Sequence, residues 1–158
     1  MCTVTPQKRI SQRLPSEDYF GPLAAHVTIV TRERRPWFQD DDLASLCLAT
    51  IKKSVSAYRS QLHAYCLMPD HLHLLIEIPE HVSLEDVIHH FKTVSGFALK
   101  RITGMPTWQT SYYDHILRRE EALEDLAAYI WANPVTDGLV ENAGDYPWSG
   151  PREALVQA

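Results

Sequence analysis

Two residue pairs in this chain have the types and spacing of a reactive centre: His71 with His73, and Tyr129 with Asn133. The histidines head an apolar run, Leu67-Met68-Pro69-Asp70-His71-Leu72-His73-Leu74-Leu75-Ile76-Glu77-Ile78. Side chains alternate faces along a strand, so His71 and His73 point one way while Leu72, Leu74, Ile76 and Ile78 point the other. Two imidazoles on one face are half a site for a divalent cation, and the opposite face suits burial against helices. Tyr129 and Asn133 lie four apart in a segment of helical period and so share a face. They offer a nucleophilic hydroxyl and, one turn on, an amide oxygen suited to a hard cation. Each pair also has an ordinary reading: a surface His pair on a strand, or an aromatic at a core edge followed by a capping amide. Their surroundings must decide.

The elements that position these residues can be read in order. Residues 1–16 are a polar, basic arm (Lys8, Arg9, Arg13) bounded by Pro6 and Pro15. Ala24 to Thr31 alternates and is β-branched, which predicts a first strand with His26, Thr28 and Val30 on one face. Asp40-Asp41-Asp42 reads as an acidic helix start rather than a metal cluster, with Leu43, Leu46, Cys47, Thr50, Ile51 and Val55 as the apolar stripe. Leu62–Met68 and His71–Ile78 are predicted strands joined by a tight Pro-Asp turn, which places the His pair beside that turn. The His face is expected to look toward solvent and metal rather than core.

Ser83-Leu84-Glu85-Asp86 resembles a capping box. It opens a predicted helix to about Arg101, with Leu84, Val87, Ile88, Phe91, Val94 and Ala98 facing inward. His89, Lys92, Thr93 and Lys100 face outward, and the adjacent His89 and His90 splay too far apart to chelate. Trp108 to Leu117 reads as a further strand. Arg118 and Arg119 lead into a helix from Glu120 to Asn133, which Pro134 is expected to stop. Leu123, Leu126, Ala127 and Ile130 form its stripe, and Tyr129 lies off the stripe's centre. Val135 to Ala158 reads as loop with a short terminal turn. The division is an arm (1–16), one domain (17–150) and a tail (151–158).

The 158 residues suffice for one domain with a real core, and no apolar run approaches the roughly 18 residues of a membrane span. The N-terminus has no signal-peptide core. Cys2, Cys47 and Cys66 lack the spacing of a disulfide framework or zinc ribbon, so a reducing cytoplasm is the expected compartment. The net charge of −5 is uneven. Residues 120–158 hold eight acids against one base, whereas residues 1–119 hold fourteen bases and twelve acids. Clustered bases can form a local phosphate-binding face on an acidic protein.

Met68-Pro69-Asp70-His71-Leu72-His73-Leu74-Leu75 resembles the signature of the HUH single-tyrosine transposases, the insertion sequence 200-like superfamily. Tyr129-Ile130-x-x-Asn133 is similar to their Tyr-x-x-x-(Asn or Gln) helix. Trp108-Gln109, Tyr113-Asp114-His115, Arg118, Asn133-Pro134-Val135, Gly138-Leu139-Val140 and Tyr146-Pro147-Trp148-Ser149 resemble the REP-associated tyrosine transposases, a branch that acts on single-stranded hairpins of repetitive extragenic palindromes. The resemblance covers roughly residues 20–150. Thr136 departs from it where such sequences often carry a base, as does the Ser149-Gly150 ending. It implies an α+β fold, a central antiparallel sheet with helices packed on it in a ferredoxin or RNA-recognition layout. It further implies that Tyr129 is the nucleophile and that His71, His73 and Asn133 ligate a divalent metal, Mg²⁺ or Mn²⁺.

The implied reaction is transesterification of single-stranded DNA through a 5′-phosphotyrosine, with Arg118, Arg119, Lys92, Lys8, Arg9 and Arg13 as candidate nucleic-acid contacts. Bond energy is retained, so no nucleotide cofactor is expected, and the chain has no Gly-x-x-x-x-Gly-Lys loop. A free tyrosine has a pKa of about 10 and needs help to deprotonate; the sequence names no base. A monomer is preferred over a homodimer, and no membrane partner is expected. Two other readings remain open: a hairpin-binding module that does not cut, and a metal-dependent hydrolase whose His pair activates water.

Overall fold

The computed structural model describes residues 14–118 and 121–156. Its first strand, β1 (Leu23–Val30), alternates as predicted, with Ala25, Val27 and Ile29 fully buried on one side. The helix α1 (Asp41–Ala57) follows, and its acidic start is a cap: one oxygen of Asp40 accepts from the N–H groups of Asp42 (2.9 Å) and Leu43 (3.1 Å). A hairpin of β2 (Gln61–Met68) and β3 (His71–Ile78) comes next, then α2 (Leu84–Thr103) and β4 (Tyr113–Ile116). The chain continues through α3 (Leu123–Thr136), β5 (Ser149–Gly150) and α4 (Arg152–Val156). The strands pair antiparallel throughout, in the order β4-β1-β3-β2-β5. The α+β layout is the predicted one, extended by an edge strand.

The sheet separates two cores. Leu72, Leu74, Ile76 and Ile78 of β3 join Ala25, Val27, Ile29, Tyr65 and Leu67 beneath α1 and α2. On the other face, Ala64, Cys66, Met68 and Leu75 meet Ala127, Ile130 and Trp131 of α3, together with Tyr146. Among the described residues, no helix is long and apolar enough to cross a membrane.

Four local expectations need correction. Inward-facing positions of α2 run through Ser95 and Leu99 rather than Val94 and Ala98, because the Trp108 indole seats on that side and donates to Ser95 Oγ at 2.9 Å. Ser83 stands at the N-cap of α2 but its side chain makes no capping bond. The fourth strand is confined to 113–116, with Trp108 making only an isolated bridge to Thr31. Pro134 does not end α3, which runs to Thr136.

The segment after α3 is more ordered than loop. Ser149 and Gly150 pair with Cys66 and Tyr65, and the Trp131 indole donates to the Gly150 carbonyl at 2.9 Å. A side chain at Gly150 would meet the Tyr65 hydroxyl at 2.6 Å, so this approach requires glycine. Within the predicted tail, Arg152–Val156 forms α4, and Ala154 and Leu155 pack on the smaller core.

Candidate active site

The Pro69-Asp70 turn is fixed at its carbonyls. Phe38 N–H donates to Pro69 O, and the N–H and hydroxyl of Thr31 both donate to Asp70 O. This anchoring places Asp70 beside the first histidine. The Asp70 carboxylate stands 2.6 Å from His71 Nδ1 and accepts from the Arg34 guanidinium at 3.2 Å. The hydrogen bond from His71, then the nearby charges of His71 and Arg34, hold its carboxyl below the ordinary range against the opposing effect of burial. A carboxylate on Nδ1 fixes the proton there and leaves Nε2 with its lone pair. That Nε2 is buried and has no hydrogen-bond partner.

His71 and His73 point to the same face, as predicted, with ring centres 4.9 Å apart and planes nearly perpendicular. Their environment is not the predicted one. His71 is 3% and His73 7% exposed, because α3 lies over this face of the sheet. Burial, reinforced by the charges of His71 and His26, pushes the His73 pKa down to about 3. His73 Nδ1 lies 3.1 Å from His26 Nε2 and 3.2 Å from Thr28 Oγ1, both on β1. Thr28 is the direct cross-strand partner of His73, and His26 sits two pairs further along, opposite Leu75. With Nδ1 so occupied, Nε2 is the remaining nitrogen of His73. Burial, then the charge of His115 on β4, lowers the pKa of His26 as well.

Tyr129 is 59% exposed on α3, and its ring meets that of His26 edge-on at 6.2 Å. Tyr129, His26, His73 and His71 therefore form a continuous line of rings. Asn133 is buried at the base of this helix turn, where its amide nitrogen donates to the carbonyls of Tyr129 (3.0 Å) and Ile130 (3.2 Å). The nitrogen is committed to the backbone, leaving the amide oxygen as the atom that can serve a ligand. Among the described residues, no three His, Cys, Asp or Glu side chains form a metal-holding group. A cation here would rest on two imidazoles and an amide oxygen. The carboxylate-backed His71 with its unpartnered Nε2 fits such a ligand.

The candidate DNA contacts divide. Arg118 is exposed, and its backbone N–H donates to Glu121, whose carboxylate also lies 2.9 Å from His115 Nε2. Lys92 directs its ammonium to the carbonyls of Gln109 and Thr110, each at 2.8 Å, beside the Tyr112 ring. Lys8, Arg9, Arg13 and Arg119 lie outside the described residues. His89 and His90 do diverge: His89 is exposed, whereas His90 Nδ1 lies 2.8 Å from Ser54 Oγ on α1. The structure also adds His26, Thr28 and Asp70 to the site. Only the shared face of His26 and Thr28 was readable in the sequence, since their neighbour lies more than forty positions away.

Comparison with known proteins bears on the family and the fold. A Haemophilus influenzae protein provisionally named a REP-associated tyrosine transposase is 28% identical over 134 residues, covering 77% of this chain and 76% of that protein. The REP-associated tyrosine transposase of Escherichia coli is 27% identical over 89 residues, 56% of this chain and 53% of that protein. A solved REP-associated tyrosine transposase, bound to a REP hairpin, shares the fold with a TM-score of 0.74 at 20% identity, covering 88% of this chain and 82% of the other. A Deinococcus radiodurans protein provisionally named a transposase aligns with a TM-score of 0.55, also at 20% identity, over 75% of this chain and 95% of its own. The family described as "Transposase IS200 like" matches residues 20–133, from the strand that carries His26 to the helix turn that ends on Asn133. This chain belongs to the IS200-like transposases.

Proposed function

We propose that the protein cuts and rejoins single-stranded DNA at a folded hairpin, with Tyr129 as nucleophile and with His71, His73 and Asn133 holding a divalent cation. The observation that carries this reading is the buried, unpartnered Nε2 of His71, whose Nδ1 is held by Asp70. An imidazole so placed is built to receive a cation. The hairpin substrate is supported by the relatives, two named for REP-associated transposition and one solved with a REP hairpin bound.

The chemistry follows from the residues. The Tyr129 oxygen attacks a backbone phosphorus, forming a 5′-phosphotyrosine as the bond to the 3′ oxygen breaks. The leaving oxygen departs as a free 3′-OH. Attack by that hydroxyl, or another, on the phosphotyrosine restores a phosphodiester and frees Tyr129. The exposed position of Tyr129 lets a phosphate approach its hydroxyl. Mg²⁺ or Mn²⁺, when bound, supplies polarisation of the phosphate and neutralises charge on its oxygens. His71, His73 and the amide oxygen of Asn133 would hold that ion, the Asn133 amide being oriented by its bonds to the backbone.

The test is incubation with hairpin oligonucleotides and Mg²⁺ or Mn²⁺, scored for a protein–DNA adduct on a denaturing gel. An adduct in wild type, lost in Tyr129→Phe, is expected. Hairpin binding with no adduct under either cation would instead describe a binding module. Metal-dependent cleavage that survives Tyr129→Phe would describe a hydrolase.

A further inference from the structure

We infer that His26 is a positioning residue of this site: one side chain accepts the Nδ1 proton of His73 and braces the ring of Tyr129, so a cation ligand and the nucleophile are oriented together. The inference rests on the metal-binding role proposed for His73.

A histidine that ligates through Nε2 carries its proton on Nδ1, and that proton needs an acceptor. For His73 the acceptors within reach are His26 Nε2 at 3.1 Å and Thr28 Oγ1 at 3.2 Å. Both come from β1, whose pairing with β3 is continuous from Leu23 to Val30, so neither depends on a loop. The facing nitrogens of His26 and His73 stand at hydrogen-bond distance. They cannot both point at a common cation, so His26 does not ligate through Nε2.

The same ring also touches the proposed nucleophile. His26 meets Tyr129 edge-on at 6.2 Å and His73 at 5.3 Å between ring centres. Among the described residues, His26 is the ring in contact with both. Tyr129 is otherwise largely exposed, and an exposed tyrosine samples several rotamers. A ring at its flank narrows that choice.

His26 is only partly buried, and its neighbours Ala25 and Val27 carry the core packing of the strand. A half-buried imidazole aimed at another imidazole contributes little to packing. Its arrangement is explained by what it does to His73.

Three variants separate these roles. His26→Phe keeps a ring against Tyr129 but removes the acceptor. His26→Gln places an oxygen near the reach of Nε2 but removes the ring. Thr28→Val removes the second acceptor. Mn²⁺ affinity is measured without DNA by electron paramagnetic resonance, thermal melting monitors folding, and the ¹⁵N shifts of His73 report its tautomer. Adduct formation is followed in single turnover on a hairpin oligonucleotide.

His26→Phe should weaken Mn²⁺ binding about ten-fold or more with melting unchanged, and shift the His73 nitrogens toward a tautomer mixture. Combining it with Thr28→Val should deepen the loss. His26→Gln should recover most of the Mn²⁺ affinity yet form adduct slowly, since Tyr129 loses its brace. Wild-type Mn²⁺ affinity and His73 shifts in His26→Phe, with His71→Ala unable to bind, would overturn the role of His26 while leaving the metal site intact. Parallel losses of melting temperature and affinity in His26→Phe and His26→Gln would overturn it as well, in favour of a purely structural histidine. Wild-type protein that binds no Mn²⁺, or His71→Ala that binds it unchanged, would overturn the metal reading and this inference with it.

Discussion

The side-chain amide of Asn133 donates to the carbonyl of Ile130 at 3.2 Å, serving an acceptor that Pro134, which has no N–H, cannot reach. The same nitrogen also donates to Tyr129 O at 3.0 Å. Asn133 therefore repairs the helix at the proline with one end of its amide and offers the other to the site. The two roles can be separated. Asn133→Asp loses the donors and should destabilise the protein by about 1–3 kcal/mol, as expected when a buried carbonyl is left unpaired. It retains an oxygen ligand, so Mn²⁺ binding should persist. Asn133→Ala should lose both. Urea denaturation and Mn²⁺ titration measure the two effects, and an Asp variant that cannot bind Mn²⁺ would remove the ligand role.

Tyr129→Phe should abolish the covalent adduct while changing stability by no more than about 0.5 kcal/mol, because the side chain is largely exposed. Hairpin binding should remain. The competing nucleophile is Tyr113 of β4, which pairs with Thr28 of β1 and lies two strands from His73 on the same sheet face. An adduct retained in Tyr129→Phe and lost in Tyr113→Phe would transfer the role.

Asp70→Ala should weaken Mn²⁺ binding by about ten-fold or more, since His71 Nδ1 loses its 2.6 Å partner and the ring its fixed tautomer. Asp70→Asn keeps an acceptor oxygen and should cost less. Equal affinity in wild type and Asp70→Ala would show that the carboxylate serves only Arg34 and the turn.

Acid should destabilise the metal-free protein in a defined window. His73 is held at about 3 in the folded state, against about 6.5 for an unfolded histidine. Between those values the unfolded chain binds the additional proton, so stability rises with pH and is fully present above about 6.5. It is lost as pH falls toward 3. His26, shifted the same way, adds to the slope. Asp70, shifted below the carboxylate range, adds a separate loss at lower pH. Urea midpoints measured from pH 7 to pH 4 should fall less steeply in His73→Gln than in wild type. Identical slopes would assign the acid sensitivity elsewhere.

Arg118 stands exposed at the approach to α3, and its hydrogen bond to Glu121 is made by the backbone N–H rather than the guanidinium. Arg118→Ala should weaken binding to all hairpins alike and flatten the salt dependence of log K by about 0.7–0.9, the release of one phosphate contact. Filter binding at several salt concentrations reads the slope. An unchanged slope would leave Arg118 as a solvated surface charge.

The parts of this molecule legible in its sequence are those fixed by near neighbours. The alternation from His71 to Ile78, the acidic cap of α1 and the hairpin turn each follow from residues a few positions apart, and each formed where expected. The errors lie where a distant partner decides. Val94 and Ala98 have the period of a buried stripe, but Trp108 settles which side of α2 is covered. Two-residue β5 has no pattern of its own and exists because Cys66 and Tyr65 receive it. The His face was expected to be open because nothing in its own strand shows that α3 and Tyr146 will lie over it. The pairing of His26 with His73 is of the same kind, set by strand register rather than by spacing.

The division of the sheet into two cores makes the distance between the proposed nucleophile and the proposed ligands separately adjustable. Residues His71 and His73 ride on β3, whose position is fixed from beneath by the larger core. Tyr129 rides on α3, which rests on Ala64, Cys66, Met68 and Leu75 through Ala127, Ile130 and Trp131. The small side chains at Ala64 and Ala127 act as spacers between these bodies. Enlarging either one would lift the helix from the strand without altering a reactive residue, and a displacement near 1 Å can cost about a hundred-fold in rate. Reaction rate could thus be tuned through side-chain volume in a buried layer between helix and sheet.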